Sequence, residues 1–232
     1  IGGGGVRSMF LAKSIAMRAS ELNIDKLVFM DNNEQKLNIY GNMAKKVANI
    51  LCPNLDFEIT TDAAYAVTDA DYVITTIREG GDDMRVRDER IALSYGVLGQ
   101  ETTGAAGLSF AMRSVYALQG YCELVKKYAK PNCKVFNFTN PAGVVSQTLR
   151  DMGYDFTYGI CDAPSGMLHS FAKLYGANEN DIKGEIFGLN HLSYFTSITI
   201  NGREILADLI ENPLAYEQTD MRYFEPKLLK ER

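Results

Sequence analysis

The hydrophobic pattern of the first 160 residues alternates between short continuous apolar runs and longer stretches with helical periodicity. Five runs have the length and composition of strands buried on both faces of a parallel sheet, at 27–30, 57–60, 72–77, 134–138 and 156–160. Between most of these runs, apolar residues recur every three or four positions, as they do in amphipathic helices. The alternation predicts an α/β protein with a Rossmann-type, doubly wound parallel sheet.

The segment 78–107 interrupts this alternation. It is polar, charged and rich in glycine, so we expect a long functional loop or a loop that contains short helices. The stripe formed by Leu108, Met112, Val115 and Leu118 then predicts the buried face of a long helix.

The pattern changes again after about residue 182. An apolar stretch at 192–200 leads into Asn201 and Gly202, a pair typical of two-residue β-hairpin turns. We therefore predict two domains, a Rossmann domain at 1–165 and the beginning of an α+β domain at 166–232.

The two ends of the sequence favour a longer natural chain. Ile1 leads directly into glycines, with neither a Met nor a strand before them, so we expect a short first strand to precede it. The final residues, 227–232, are expected to form a helix that continues.

Composition narrows the class of protein. Of the 232 residues, 46% are hydrophobic and 23% are charged, which is typical of globular proteins and excludes a disordered chain. The net charge of −5 gives no indication of nucleic-acid binding, and no apolar run has the roughly 20 residues that a membrane span needs. The four cysteines are too scattered for a disulfide framework, which favours a cytoplasmic protein.

The glycines at the start of the chain predict a dinucleotide site. They precede a predicted helix whose N-terminus can bind a pyrophosphate, and an acid 26 residues after the last glycine can hold a ribose 2′-hydroxyl. This carboxylate would repel a 2′-phosphate, which favours NAD over NADP. A tight turn in another kind of α/β protein is the alternative. The predicted NAD-binding residues are Gly2, Gly3, Gly4, Gly5, Val6, Arg7 and Asp31.

Polar residues also follow the later strands, where ligands of such sheets bind. The amides of Asn137 and Asn140 can orient sugar hydroxyls or a nicotinamide, although an Asn-Pro pair alone is more typical of a turn. Cys161 and Asp162 place a thiol beside a carboxylate, which suits a divalent metal; a buried cysteine without such a role is the alternative.

The chain has two histidines and a loop rich in charge. His169 falls within a predicted helix, where we expect a structural role, whereas His191 follows a glycine-led turn where a ligand can sit. Arg78, Arg85 and Glu101 belong to the charged loop, and arginine side chains suit phosphate groups. A solvated loop and a hydrogen-bonded histidine at a strand start are the alternatives.

Taken together, these segments resemble family 4 of the glycoside hydrolases, the NAD-dependent 6-phosphoglucosidases and α-galactosidases. The resemblance covers nearly all of residues 1–200, and its most specific segments are 77–81, 95–102, 137–143, 161–164 and 188–191. It implies a nucleotide domain akin to that of lactate and malate dehydrogenases. It also implies hydrolysis outside the two-carboxylate mechanism.

In this family, NAD⁺ removes a hydride from C3 of the sugar, which acidifies the proton at C2. A base takes that proton, the glycosidic oxygen leaves C1, water adds and the hydride returns. A divalent metal, usually Mn²⁺, polarises the C2 and C3 oxygens. The implied substrate is a phosphorylated disaccharide, and the implied assembly is a homodimer or homotetramer with neither nucleic-acid nor membrane partners.

The resemblance also implies roles for individual residues. Cys161 and His191 match the metal ligands, and Asp162 resembles the acid that protonates the leaving oxygen in 6-phospho-α-glucosidases. The position of Asp162 is typically an asparagine in the β-glucosidases, so the anomer stays open.

Three further residues match the family pattern. Arg85 and Asn140 match substrate-binding positions, and Glu101 matches the acid thought to raise the basicity of a catalytic tyrosine, which we expect after Arg232.

Two departures leave the substrate open. Residues 104–107 lack the usual Gly-Pro-Gly-Gly run, and Arg7 stands in an entry loop that is usually rich in serine and threonine, so a uronate or galactoside is an alternative substrate. A 2-hydroxy-acid dehydrogenase and a non-catalytic NAD sensor are the alternative functions.

Overall fold

The structure is a computed structural model that describes residues 1–219 and 221. The chain divides into two compact units, Ile1–Ile160 and Cys161–Arg232. The predicted helix at 227–232 lies outside the described residues. In the part of the chain that the structure describes, none of the helices has the length and apolar character needed to cross a membrane.

The first unit alternates strands and helices, as the sequence pattern predicts. Its strands are β1 (Lys26–Met30), β2 (Asp56–Thr60), β3 (Tyr72–Thr75), β4 (Lys134–Asn137) and β5 (Thr157–Gly159). Its helices are α1 (Ser8–Arg18), α2 (Glu34–Lys36), α3 (Asn42–Leu51), α4 (Ala63–Val67), α5 (Gly81–Ser94), α6 (Ala105–Tyr128) and α7 (Ala142–Asp151). A π-helical turn, Leu37–Gly41, joins α2 to α3.

The strands form two parallel sheets, β1-β2 and β3-β4-β5. The first residues of the chain connect them. The nitrogen of Ile1 donates to the Ile74 carbonyl at 2.8 Å, and the Thr76 N–H donates to the Ile1 carbonyl at 2.9 Å. On the other side, the Gly2 N–H donates to the Met30 carbonyl at 2.8 Å. The spatial order is therefore β2, β1, residues 1–2, β3, β4, β5, which is the doubly wound order and confirms the predicted fold class.

Small residues let the helices approach the β1-β2 sheet closely. Ala12 of α1 and Ala44 and Ala48 of α3 are fully buried in one cluster with Phe29 and Phe57. The two rings lie 4.9 Å apart between centroids, a distance typical of favourable aromatic pairs. This packing fixes the end of β1, which positions the first glycines.

The expectation of a long loop or short helices at 78–107 was wrong for about half of that segment, because α5 is a 14-residue helix. It has no continuous apolar stripe, so the hydrophobic pattern gave no signal for it. Charged pairs stabilise it instead, among them Arg85 and Glu89 one turn apart at 2.8 Å, and its buried residues are Asp88 and Ala92.

The predicted stripe of α6 was also partly wrong. Leu108 and Met112 are 60% and 63% exposed, whereas Phe110, Ala111 and Leu118 are buried. The helix begins at Ala105, earlier than the stripe predicts, and its small residues form much of the buried face.

The second unit is α+β within the described residues. Its elements are α8 (Ala163–Leu174), β6 (Ile182–Leu189), β7 (Leu192–Ile200), β8 (Arg203–Glu204), α9 (Leu206–Glu211) and α10 (Pro213–Gln218). The strands form an antiparallel sheet, and the predicted hairpin turn is confirmed, since Asn201 and Gly202 join β7 to β8 with φ of 51° and 80°. Phe171, Ile198 and Leu209 anchor its core.

Candidate active site

Three of the four glycines at the start of the chain are required by close packing. A Cβ on Gly2, which has φ of 93°, would lie 2.6 Å from the carbonyl oxygen of Thr76. A Cβ on Gly3 would lie 2.7 Å from the Cβ of Phe29. Only residues without a side chain therefore let this turn pass between the ends of β1 and β3.

Asp31 lies at this turn, as the 26-residue spacing predicts. Its Oδ2 accepts from the Gly4 N–H and its Oδ1 accepts from the Asn33 N–H, both at 2.9 Å. A Cβ on Gly4 would lie 2.9 Å from this carboxyl group. Each oxygen keeps a second lone pair, so the carboxylate can still accept from a ribose hydroxyl.

The N-terminus of α1 follows the turn. Val6 and Arg7 are exposed, and Ser8, the first residue of the helix, is only 6% exposed. Its buried Oγ has no hydrogen-bond partner within the described residues. A helix N-terminus beside a glycine turn and an unpaired buried hydroxyl fit the diphosphate of a dinucleotide.

A second polar cluster in the first unit surrounds Glu101. Arg78 grips the carboxylate with both terminal nitrogens, Nη1 to Oε2 at 2.9 Å and Nη2 to Oε1 at 3.3 Å. The Nδ2 of Asn140 donates to Oε1 at 3.1 Å, and the Nε of Arg85 lies 3.4 Å from Oε2. The structure thus brings together three residues that the resemblance names, Arg85, Glu101 and Asn140.

The environment of Glu101 determines its charge. Burial by itself raises the pKa of this carboxyl, but the hydrogen bonds from Arg78 and Asn140 and the charge of Arg85 outweigh burial and leave the pKa below its ordinary value. Glu101 is therefore ionised at neutral pH.

A buried ion pair that sequence reasoning missed connects α5 to α6. Asp88 accepts from Ser109 at 2.8 Å and from Nη2 of Arg113 at 2.5 Å. The centroid of the Phe110 ring lies 5.5 Å from the guanidinium carbon of Arg78 and 5.9 Å from that of Arg113. Spacing gave no signal for this cluster, because Asp88 and Arg113 look like surface charges in the sequence.

The two amides at the end of β4 have different surroundings. Asn140 is half-buried, whereas Asn137 is fully buried: its side chain accepts from the Thr75 hydroxyl at 2.9 Å and donates to the Thr139 carbonyl at 3.1 Å. Its Nδ2 also lies 3.3 Å from the Ser146 hydroxyl. The expectation that Asn137 orients a ligand was therefore wrong, because internal hydrogen bonds occupy its amide.

The second unit brings Cys161 and His191 together. The Sγ of Cys161 lies 3.7 Å from the Nε2 of His191, although 30 residues separate them. His191 occupies the turn between β6 and β7 with φ of 61°, and a Cβ on Gly188 would lie 2.5 Å from the carbonyl oxygen of Leu192. A thiol beside an imidazole suits a borderline divalent metal. Among the described residues, no group of three or more His, Cys, Asp or Glu side chains forms a metal-binding cluster.

Asp162 and His169 lie near this pair in sequence. Asp162 precedes α8 with an exposed side chain, and its carbonyl accepts from the Gly166 N–H at 2.8 Å. His169 is half-exposed on α8, and its Nδ1 lies 3.7 Å from the carboxylate of Glu179, so the structural role expected for it stays a prediction.

Comparison with known proteins identifies the family. The model of family 4 glycosyl hydrolases matches residues 1–177. The chain belongs to this family, which confirms the resemblance. It is 32% identical over 213 residues to the 6-phospho-beta-glucosidase BglT of Thermotoga maritima, covering 91% of this chain and 50% of that protein. It is also 34% identical over 201 residues to the phospho-alpha-glucosidase PagL of Clostridium acetobutylicum, covering 85% and 45%.

Solved structures agree with this assignment. The Thermotoga maritima 6-phospho-beta glucosidase with manganese, NAD⁺ and glucose-6-phosphate has a TM-score of 0.85 at 32% identity, covering 91% of this chain and 51% of that one. A malate dehydrogenase from Salinibacter ruber has a TM-score of 0.63 at 14% identity, covering 93% and 62%, which shows a shared fold alone. The chain spans about half the length of the curated relatives that it matches.

Proposed function

We propose that the protein hydrolyses 6-phosphorylated glucosides without net oxidation of the substrate, using NAD and a divalent metal, Mn²⁺. The approach of Cys161 to His191 carries the proposal, because an ordinary 2-hydroxy-acid dehydrogenase has no use for a metal-binding thiol. Support comes from the family, and from a similar enzyme whose structure holds manganese, NAD⁺ and glucose-6-phosphate.

Residues of the first unit fit the binding steps. The turn at residues 2–5 and the N-terminus of α1 would hold the diphosphate of NAD, and Asp31 would accept from its ribose. The terminal nitrogens of Arg85, which donate no hydrogen bond within the described residues, and the amide of Asn140 would orient the sugar phosphate. NAD, when bound, would supply the acceptor for a hydride from C3 of the sugar and, after elimination and water addition, the donor that returns this hydride.

Residues of the second unit fit the metal and the leaving group. Cys161, as a thiolate, and His191, as a neutral imidazole, would hold a divalent metal that supplies Lewis acidity to the sugar oxygens. Asp162 would donate a proton to the leaving oxygen. Relatives include both 6-phospho-α- and 6-phospho-β-glucosidases. An aspartate in this role would favour the α-anomer, because the resemblance implies an asparagine at this position in the β-glucosidases.

The test is hydrolysis of p-nitrophenyl glucoside 6-phosphates, of both anomers, by the purified full-length protein after dialysis against a chelator. We expect activity only when NAD⁺ and Mn²⁺ are both restored, with no net NADH formed. Full activity without either addition, once tightly bound cofactor is excluded, would contradict the proposal. NADH that accumulates in step with product would instead show a dehydrogenase.

The role of Asp162 has its own test. Asp162→Asn should lower kcat by roughly 10²–10⁴-fold with natural disaccharide phosphates, whose leaving groups need a proton. With p-nitrophenyl substrates the loss should be much smaller. An equal loss with both leaving groups would show that Asp162 only positions the metal or the sugar, and the β-anomer would then be at least as well supported.

We also propose the organisation of the protein. Residues 1–165 would form the NAD-binding domain, 166–232 would begin the substrate domain, and the protein would be a cytoplasmic homodimer or homotetramer. Sedimentation of the purified protein tests the assembly, and a monomer at micromolar concentration would contradict it.

A further inference from the structure

Arg78 has no role in the function proposed above, yet its guanidinium lies at the centre of the cluster around Glu101. It makes two parallel bonds to the carboxylate, at 2.9 and 3.3 Å. The side chain of Glu101 is only 16% exposed and that of Arg78 is 33% exposed, so water screens this pair less than it screens a surface pair. A planar fork of this kind fixes the orientation of a carboxylate, which a lysine cannot do.

The orientation of Glu101 in turn affects both predicted substrate-binding residues. Its Oε1 accepts from the amide of Asn140 at 3.1 Å, and its Oε2 lies 3.4 Å from the Nε of Arg85. Arg85 contacts both Glu101 and Glu89 through Nε, so these contacts leave its terminal nitrogens to bind an anion. Rotation of the carboxylate would therefore displace Arg85 and Asn140 together.

Arg78 is itself held in place by its surroundings. Its Nε lies 3.5 Å from Oδ1 of Asp82, and its guanidinium carbon lies 5.5 Å from the centroid of the Phe110 ring. Cation–π contact and ion pairing restrict a long side chain that would otherwise sample many rotamers. Contacts within the protein therefore hold Arg78 in the orientation that fixes the Glu101 carboxylate.

We propose that Arg78 is a positioning residue for sugar-phosphate binding. Its fork fixes Glu101, and Glu101 holds Arg85 and Asn140 in the orientation that binds the ligand. The inference rests on the proposed function, because that function assigns the sugar phosphate to Arg85 and Asn140. In this arrangement the ionised carboxylate of Glu101 holds the side chains of Arg85 and Asn140 in place.

The experiment compares Arg78→Gln, Arg78→Lys and the parent. One readout is the Kd of glucose 6-phosphate from calorimetry, and the other is the titration of the Glu101 carboxyl by ¹³C NMR, assigned with Glu101→Gln. Arg78→Gln should raise the Kd at least roughly tenfold, because small misplacements of binding groups are costly. It should also raise the pKa of Glu101, and Arg78→Lys should restore part of both.

Arg113→Lys is the matched control, since Arg113 also flanks Phe110 and pairs with a carboxylate but does not contact Glu101. Its Kd should stay within about twofold of the parent. An Arg78→Gln protein with the Kd of the parent, or an equal loss in Arg113→Lys, would overturn the inference. If Arg78→Gln does not fold, Arg78→Lys decides the question: a parental Kd and a parental Glu101 titration overturn the inference.

The two readouts separate this inference from the proposed function. If glucose 6-phosphate does not bind the parent, the proposed function is contradicted. The Glu101 titration then still decides whether Arg78 fixes the carboxylate, and a titration that is unchanged in both Arg78 variants overturns that role.

Discussion

The Sγ of Cys161 and the Nε2 of His191 lie 3.7 Å apart, although one precedes α8 and the other occupies the turn between β6 and β7. The fold therefore forms this pair, and no local motif does. His191 reaches Cys161 from a left-handed backbone conformation that non-glycine residues adopt uncommonly. Uncommon backbone conformations of this kind cluster at functional sites.

The first prediction is that Cys161 contributes a thiolate to a divalent metal. Cobalt(II) added to the protein should give a thiolate-to-metal absorption band, and Cys161→Ser should abolish it. The Kd of Mn²⁺ should rise at least roughly tenfold, since even the loss of an indirect partner of a metal ligand costs 10–100-fold. Cys52→Ser is the control, because Cys52 is also half-buried but lies in the first unit. A band that survives in Cys161→Ser would refute this assignment.

The second prediction concerns Asp31. Asp31→Ala should raise the Kd of NAD at least roughly tenfold and leave that of Mn²⁺ nearly unchanged, because the carboxylate lies at the glycine turn and is not one of the proposed metal ligands. Asp56→Ala, which removes another partly exposed carboxylate of the first unit, should leave both constants unchanged. Fluorescence titration with NADH measures the first constant, and equal affinity in Asp31→Ala and the parent would rule out the predicted ribose contact.

The third prediction concerns stability at acid pH. Burial raises the pKa of Asp88, but hydrogen bonds from Arg113 and Ser109 outweigh it and leave the pKa below its ordinary value. A lowered folded-state pKa stabilises the protein above the ordinary pKa near 4, and this stabilisation is lost as the pH falls through the folded-state value. The free energy of unfolding should therefore fall below about pH 4.

Asp88→Asn tests this origin of the acid sensitivity. It should cost about 2–3 kcal/mol at pH 7, because it leaves the charge of Arg113 without its partner, and it should make the pH dependence shallower. Asp71→Asn, which breaks an exposed pair with Lys130, should cost much less than Asp88→Asn, because solvent screens exposed charges. Urea unfolding at several pH values measures both, and an unchanged slope in Asp88→Asn would count against the prediction.

The sequence determines part of the fold and part of the candidate site. The strands were predictable, because a strand buried on both faces is a continuous apolar run, as at Val28 and Phe29. The helix α5 was not, because charged pairs stabilise it and leave no apolar stripe. Polar residues after β3 and β4 indicated the region in which the cluster around Glu101 lies. Their partners were not predictable, since Glu101 meets Arg78 and Asn140 across 23 and 39 residues of chain.

The side-chain amides of Asn137 and Asn140 also have surroundings that the sequence pattern does not predict. By residue type and by position near the end of one apolar run, both Asn137 and Asn140 were candidate ligands, and only the family resemblance singled out Asn140. The alternation of β4 turns Asn137 into the core, where it bonds to Thr75 and Thr139, while Asn140 lies past the strand end and reaches Glu101. The tertiary structure supplies the physical reason for this difference, which the hydrophobic pattern alone does not give.

The last prediction uses this pair of amides. Asn137→Ala should lower the free energy of unfolding by about 2–4 kcal/mol, because it leaves the Thr75 hydroxyl and the Thr139 N–H buried without their partner. Asn140→Ala should cost about 1 kcal/mol or less, since Arg78 still satisfies Glu101, but it should raise the Kd of glucose 6-phosphate at least roughly tenfold. Urea unfolding and calorimetry on the two variants measure these effects. If Asn137→Ala weakened ligand binding at unchanged stability while Asn140→Ala did not, the two roles would have to be exchanged.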